Sequence, residues 1–161
     1  MVNTQLLTPY LDPHDLQAIE HILKFGRPRD CLEWGSGGST VYFPNKFKFI
    51  KSWLSYEHDP GWYHVVRKQI SKKVELKLVS LNDYVFDVFK RKKRFDFIFI
   101  DGILRGSCLL AGSLLIKKRV GGCALHDTGR SEYHRWFSVF RFKKELTKGN
   151  ATGNGITLFW N

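Results

Sequence analysis

Apolar residues along this chain fall into short, bounded runs, and each run ends on polar or turn-forming residues. Asp30-Cys31-Leu32-Glu33-Trp34 is the first run that reads as a buried strand, and residues 50–57 the second. Val74, Leu76 and Leu78 alternate with Glu75 and Lys77, as in a strand nearer a sheet edge. Phe95-Asp96-Phe97-Ile98-Phe99-Ile100-Asp101-Gly102 is apolar on both faces, as a central parallel strand should be. Gly121 to Asp127 gives a fifth strand. Residues 141–147 and 155–160 are separated only by a glycine-containing turn, too short for a helical crossover, so they should pair as an antiparallel hairpin.

Helical patterns fill the gaps. Asp12-Pro13-His14-Asp15 supplies a cap, a first-turn proline and an acid, and Leu16, Ile19, Ile22 and Leu23 form one apolar face closed by Gly26 and Pro28. Val41-Tyr42-Phe43 reads as a short helix ended by Pro44-Asn45. Asp59-Pro60-Gly61 leads into a helix with Trp62, Val65, Val66 and Ile70 on one side. Further helices are expected near 82–92, with Val85, Phe86 and Phe89 inward, over 104–117, and near 131–140. Residues 1–11 read as an irregular arm. The alternation predicts an α/β fold: a doubly wound, Rossmann-like, mostly parallel sheet with a C-terminal antiparallel hairpin and helices on both faces.

In such sheets ligands sit beyond the carboxyl ends of the strands, where strand order reverses. Glu33 with its glycine turn, Glu57, Asp101 and His126-Asp127 all fall at those ends. The glycines of Gly35-Ser36-Gly37-Gly38-Ser39-Thr40 allow positive φ and close approach to a ligand. A helix opening there would aim its N–H groups into the same cavity. Glu57 lies 22 residues after Gly35, the distance at which an acid can accept from a ribose. The third glycine of a dinucleotide fingerprint is missing, and Glu33 would repel a pyrophosphate. A ligand with a cationic end, such as S-adenosylmethionine, fits better.

Size and charge refine this picture. The 161 residues suit one domain with a full core. No apolar run approaches the roughly 20 residues of a membrane span, and the N-terminus lacks a signal-peptide pattern. Cys31, Cys108 and Cys123 lie in apolar surroundings and read as buried free thiols, which points to a cytoplasmic location. The net charge of +11 favours anionic partners, among them nucleic acid, acidic glycans and phosphorylated substrates. The densest run, Lys90-Arg91-Lys92-Lys93-Arg94, also reads as a solvated helix end.

Leu32-Glu33-Trp34-Gly35-Ser36-Gly37-Gly38-Ser39-Thr40 resembles the first motif of class I S-adenosylmethionine-dependent methyltransferases. Tyr56-Glu57-His58-Asp59 resembles the acidic motif after their second strand. The runs ending at Gly102 and Asp127 resemble the fourth- and fifth-strand motifs of the small O-methyltransferase-like members, and the terminal hairpin matches the family's reversed seventh strand. The resemblance spans roughly residues 12–160 and implies a single cofactor-binding domain over 1–161 with S-adenosylmethionine as cofactor.

It further implies that Glu33, Gly35, Ser36, Gly37 and Gly38 hold the methionine part, with hydroxyls from Ser39 and Thr40. Glu57 and His58 would meet the ribose, and Ser80, Leu81 and Asn82 would border the adenine. Asp101 would face the reacting centre, with His126 and Asp127 as base or base-orienting pair. Catechol and caffeoyl-CoA O-methyltransferases bind a divalent metal at these strand ends. The matching positions here are Asp101, Asp127 and Thr128; the Asn is absent, and no lysine base follows Asp101, both of which count against a metal. Arg105, Arg130, His134 and Arg135 would clamp an anionic acceptor. The function implied is O-methylation of a small or glycan-like anionic acceptor. An RNA or protein methyltransferase, or a non-catalytic nucleic-acid or cofactor-binding module, stays open.

Overall fold

The chain is described by a computed structural model covering residues 6–150 and 153–161. Its elements are α1 (Pro13–Gly26), β1 (Asp30–Trp34), α2 (Gly38–Lys46), β2 (Ser52–Glu57), α3 (Pro60–Arg67), β3 (Val74–Leu78), β4 (Phe97–Ile100), α4 (Arg105–Leu115), β5 (Gly122–His126), β6 (Phe142–Thr147) and β7 (Ile156–Trp160). The strands form one sheet in the order β3-β2-β1-β4-β5-β7-β6. Pairing is parallel from β3 to β5, and β7 runs antiparallel to both of its neighbours. The order reverses between β1 and β4. The expected mostly parallel sheet with a C-terminal hairpin is therefore present.

Period-two alternation divides the core between the two faces. Cys31, Trp53, Phe97, Phe99 and Ala124 pack with Ile19 and Leu23 of α1 and Phe43 of α2. Leu32, Trp34, Ile98, Ile100, Cys123 and Leu125 pack with Cys108, Leu109 and Leu115 of α4. The three cysteines are buried and free. No described helix is long and apolar enough to cross a membrane.

Several elements differ from the periodic reading. α2 continues through Pro44 to Lys46, because Asn45 Nδ2 donates to Val41 O and Phe47 N to Phe43 O around the missing proline donor. Residues 82–92 form turns and a 3₁₀ segment (Asp87–Arg91) in place of a full helix. There Trp34 Nε1 donates to Tyr84 O, diverting a carbonyl from a helical ladder, and Tyr84, Val85 and Val88 are buried while Phe86 and Phe89 are exposed. Residues 131–139 are also 3₁₀; Tyr133, Trp136 and Val139 recur every three residues and pack against the α4 side of the core. In α3 only Val66 is buried, and Trp62 and Val65 stay exposed.

Four of the five cations of the basic run are engaged locally. Lys90 pairs with Asp87, Arg91 with Glu75 and Lys93 with Asp30, and Arg94 donates to Leu114 O and Ile116 O. These cations tie down the amino-terminal side of the sheet.

Candidate functional site

The glycine turn leaves β1 where the strand order reverses. Gly35 has φ +99°, and a Cβ there would lie 2.4 Å from Gly102 N, so the turns after β1 and β4 touch backbone to backbone. Gly38 opens α2 beneath the N-terminal arm; a Cβ there would lie 1.8 Å from Thr8 O. Leu7 N donates to Gln69 Oε1, anchoring the arm near α3. Trp62 Nε1 donates to Ser36 O at 2.7 Å, which lays the indole beside the turn.

Glu33 does not face this cavity. Alternation along β1 sends its side chain to the α1 and α2 side, fully buried, where the carboxylate accepts from Ser39 Oγ, Thr40 Oγ1, Trp53 Nε1 and Ser55 Oγ. Burial pushes its carboxyl up to about 7 against the pull of those four donors. Thr40 Oγ1 also accepts from Gly37 N. Glu33 and Thr40 thus brace the turn from behind, a different placement from the direct ligand contact expected of them. Ser39 binds Glu33 yet still lines the cavity in front.

Glu57, at the end of β2, is buried and accepts from Ser36 Oγ and from the backbone N–H groups of His58 and Asp59. His58 Nδ1 lies 3.1 Å from it. Ser80, Leu81 and Asn82 are exposed beyond β3, and Ser80 Oγ donates to Asp83 Oδ2.

Two neighbouring cavities open at the carboxyl ends of the strands. One, of about 360 Å³, is lined by the arm, Gly35, Ser36, Gly37, Gly38, Ser39, Trp62 and Asp101. The other, of about 590 Å³, is lined by the arm, Asp101, Arg105, His126, Asp127, Arg130 and Asn154. Pro9, Tyr10, Leu11 and Asp101 belong to both. Asp101 therefore stands at the junction.

A charged cluster floors the larger cavity. His126 Nδ1 donates to Asp101 Oδ1 at 2.7 Å, and Nε2 lies 3.3 Å from Asp15 Oδ2. Burial alone would lower the His126 pKa, but the Asp101 hydrogen bond and the Asp101 and Asp127 charges outweigh it, and the net shift is upward. His126 Nδ1 is spent on Asp101, so of the two roles expected of His126, base or base-orienting residue, this geometry fits the orienting one. Asp127 takes a left-handed backbone (φ +61°), where Asn154 N donates to Oδ1 at 2.8 Å. Burial raises its pKa, yet Arg105, His126, the Asn154 N–H and Arg130 bring it below the ordinary range. Asp127 is thus a paired carboxylate and a poor proton acceptor.

Arg105 lies on the first turn of α4. Its Nη1 donates to Asp127 Oδ2 at 2.9 Å and to His126 O, its Nε to Gly102 O and its Nη2 to Asp101 O. Nη2 also lies 3.3 Å from Asp101 Oδ1. The guanidinium is committed to the strand ends and is not free to clamp an acceptor. Arg130 pairs with Asp127 at 3.2 Å but stays partly exposed on the cavity wall. His134 Nε2 bonds Thr128 O, and its ring packs on Phe137; it lines neither cavity. Arg135 lies over the Trp136 ring.

Asp101, His126 and Asp127 each bring one ligand atom within 4.8 Å of the others. The donor types suit a divalent cation. The arrangement does not, because Arg105 already sits on both carboxylates.

Sequence reasoning missed Trp62 and Asp15. Trp62 carried only a helix-face signal. Asp15 carried only a first-turn signal, yet it is buried under β5 and accepts from Thr147 Oγ1 and Gly155 N.

No protein-family model and no curated protein matches the chain. Solved structures do. An O-methyltransferase from Bacillus cereus in complex with S-adenosylhomocysteine superposes with a TM-score of 0.74 at 15% identity, covering 93% of this chain and 82% of that one. A 16S rRNA methyltransferase from T. thermophilus gives 0.68 at 13%, covering 94% and 44%. A spermidine synthase from Thermotoga maritima gives 0.62 at 18%, covering 90% and 58%. The fold is that of the class I S-adenosylmethionine-dependent methyltransferases.

Proposed function

We propose that this chain is a single-domain, S-adenosylmethionine-dependent methyltransferase acting on a hydroxyl of a small acceptor. The observation that carries this reading is the pair of cavities meeting at Asp101, one walled by the glycine turn and the other by the charged strand ends. In the smaller cavity the Gly35–Gly38 backbone, Ser36, Ser39 and Trp62 would hold the cofactor, with Glu57 alongside. The cofactor supplies a methyl group on a sulfonium, which needs only an aligned nucleophile.

The acceptor would lie in the larger cavity. Asp101 Oδ1 is held by His126 and Arg105, and among the described residues no donor engages Oδ2. Asp101 Oδ2 would accept a hydrogen bond from the acceptor O–H and hold its oxygen toward the methyl, the proton passing to solvent in the open cavity as the oxygen gains the methyl. Arg130, the partly exposed cation of this wall, would meet an anionic group on the acceptor. The likeness to an O-methyltransferase supports the oxygen assignment. The internal pairing of the basic run argues against a long nucleic-acid track along those residues.

The test is calorimetric titration with S-adenosylhomocysteine, with NAD as control and Glu57→Ala as a second protein. Micromolar binding to the wild type, weakened in the variant, supports the reading. Folded protein that binds no S-adenosylhomocysteine overturns it.

A further inference from the structure

At the strand ends, Arg105 spends its donors on the protein itself. Arg105 spans the two carboxylates that close β4 and β5, and it also bonds the backbone carbonyls of Asp101, Gly102 and His126. Its side chain is only 10% exposed, with the Tyr133 ring over the guanidinium. We infer that Arg105 is the resident cation of this centre: it occupies the place where Asp101, His126 and Asp127 would otherwise gather a divalent metal, so the site works without one and covers a latent metal site.

The argument is one of charge and donor supply. A guanidinium presents a planar fork of donors, carries its charge at every accessible pH, and is more weakly hydrated than an ammonium. It can therefore stay partly buried between two carboxylates at low cost. A divalent ion bridging all three side chains would compete with Arg105 for Asp127 Oδ2 and with the Asp101 hydrogen bond for His126 Nδ1. It would also be repelled by the displaced guanidinium and by Arg130, which pairs with the same Asp127 Oδ2. Remove the Arg105 side chain, and two carboxylates and an imidazole remain within bridging distance of each other. The carboxylate oxygens suit manganese, with the imidazole as a third ligand.

The metal statement is independent of the acceptor. Only the consequence that methyl transfer proceeds without metal rests on the proposed function. The experiment is titration of chelator-treated full-length protein with Mn²⁺, followed by electron paramagnetic resonance of the free ion. Wild type, Arg105→Met, and Arg105→Met combined with Asp127→Asn are compared. The wild type should bind Mn²⁺ only weakly, Arg105→Met about tenfold or more tightly, and the double variant should lose that gain. Tight binding to the wild type that Asp127→Asn abolishes overturns the inference, as does a folded Arg105→Met protein with no gain. Should Arg105→Met not fold, Arg105→Gln keeps the test, because a neutral amide removes the competing charge and a gain is again expected; a folded Arg105→Gln that gains nothing overturns it. Wild type that binds no S-adenosylhomocysteine defeats the methyltransferase reading but leaves these outcomes as they stand.

Discussion

Asp15 and His126 meet across the sheet face, with Asp15 Oδ2 3.3 Å from His126 Nε2. Asp15 belongs to the first turn of α1, His126 to the end of β5, and the imidazole links that helix to Asp101 at the mouth of both cavities. Around the ring stand Asp15 from α1, Asp101 after β4, Asp127 after β5 and Arg105 from α4. Three carboxylates against one guanidinium favour the imidazolium.

Asp15→Asn should therefore lower the His126 pKa. His126 titrates above its ordinary value of 6.5 in the folded chain. Its pairings then contribute fully below about 6.5 and are lost as pH rises through the folded value. The variant should lose about 2 kcal/mol at pH 6, the cost of a weakened buried polar partner, and less at high pH. Histidine proton NMR across pH checks this; an unmoved His126 titration would show that Asp15 does not act on the ring.

Glu33 leads to a second pH effect of the same sign. Its folded pKa of about 7 lies above its ordinary 4.5, so the native chain keeps a proton that the unfolded chain releases. Stability from the neutral carboxyl is full below about 4.5 and declines as pH rises to about 7, by about 3 kcal/mol over that window. Glu33→Gln keeps a neutral side chain throughout. Denaturant unfolding at pH 5 and pH 8 should show the variant gaining on the wild type at the higher pH. A difference that stays constant would contradict the assignment.

The turn glycines should separate fold from ligand. Gly35→Ala forces a Cβ against Gly102 backbone at φ +99° and should cost about 3 kcal/mol or more. Gly37 has extended backbone, and among the described residues its Cβ would meet only the Trp62 ring at 3.9 Å. Gly37→Ala should stay within about 0.5 kcal/mol of the wild type in stability while losing S-adenosylhomocysteine affinity. Equal ligand affinity in Gly37→Ala would remove the turn from the proposed cofactor site.

Trp62→Phe deletes the indole donor to Ser36 O. It should fold normally, because Trp62 is exposed, and bind S-adenosylhomocysteine about fivefold to tenfold more weakly, the worth of one hydrogen bond of about 1 kcal/mol. Trp62 fluorescence should also change on titration of the wild type. A variant with full affinity would leave Trp62 as surface cover only.

The strands were legible because a parallel sheet buried on both faces demands apolar runs, and Leu32 to Trp34, Phe97 to Ile100 and Cys123 to His126 supply them. The hairpin followed from the short link between residues 147 and 156. The acids at the strand ends pointed to the crevice in which both cavities open, because strand ends in such a sheet face one crevice. The helix expected near 131–140 is present but of 3₁₀ type, and that expected near 82–92 is reduced to turns and a short 3₁₀ segment. The three-residue spacing of Tyr133, Trp136 and Val139 carried a usable signal, but the diversion of Tyr84 O to Trp34 is a contact made 50 residues apart.

What each polar side chain does was decided by tertiary structure. Sequence order put Glu33 beside the glycines, yet alternation along β1 turned it to the buried face, onto Trp53 and Ser55 of the neighbouring strand. It also marked Asp101, His126, Asp127 and Arg105 as one group, but not that Arg105 would neutralise two of them or that α1 would bring Asp15 to the third. Local pattern fixes which segments bury apolar surface, since that is a property of each segment alone. Protonation, pairing and ligand access depend on which charges arrive from other segments within a few ångströms, and only the folded arrangement sets those distances.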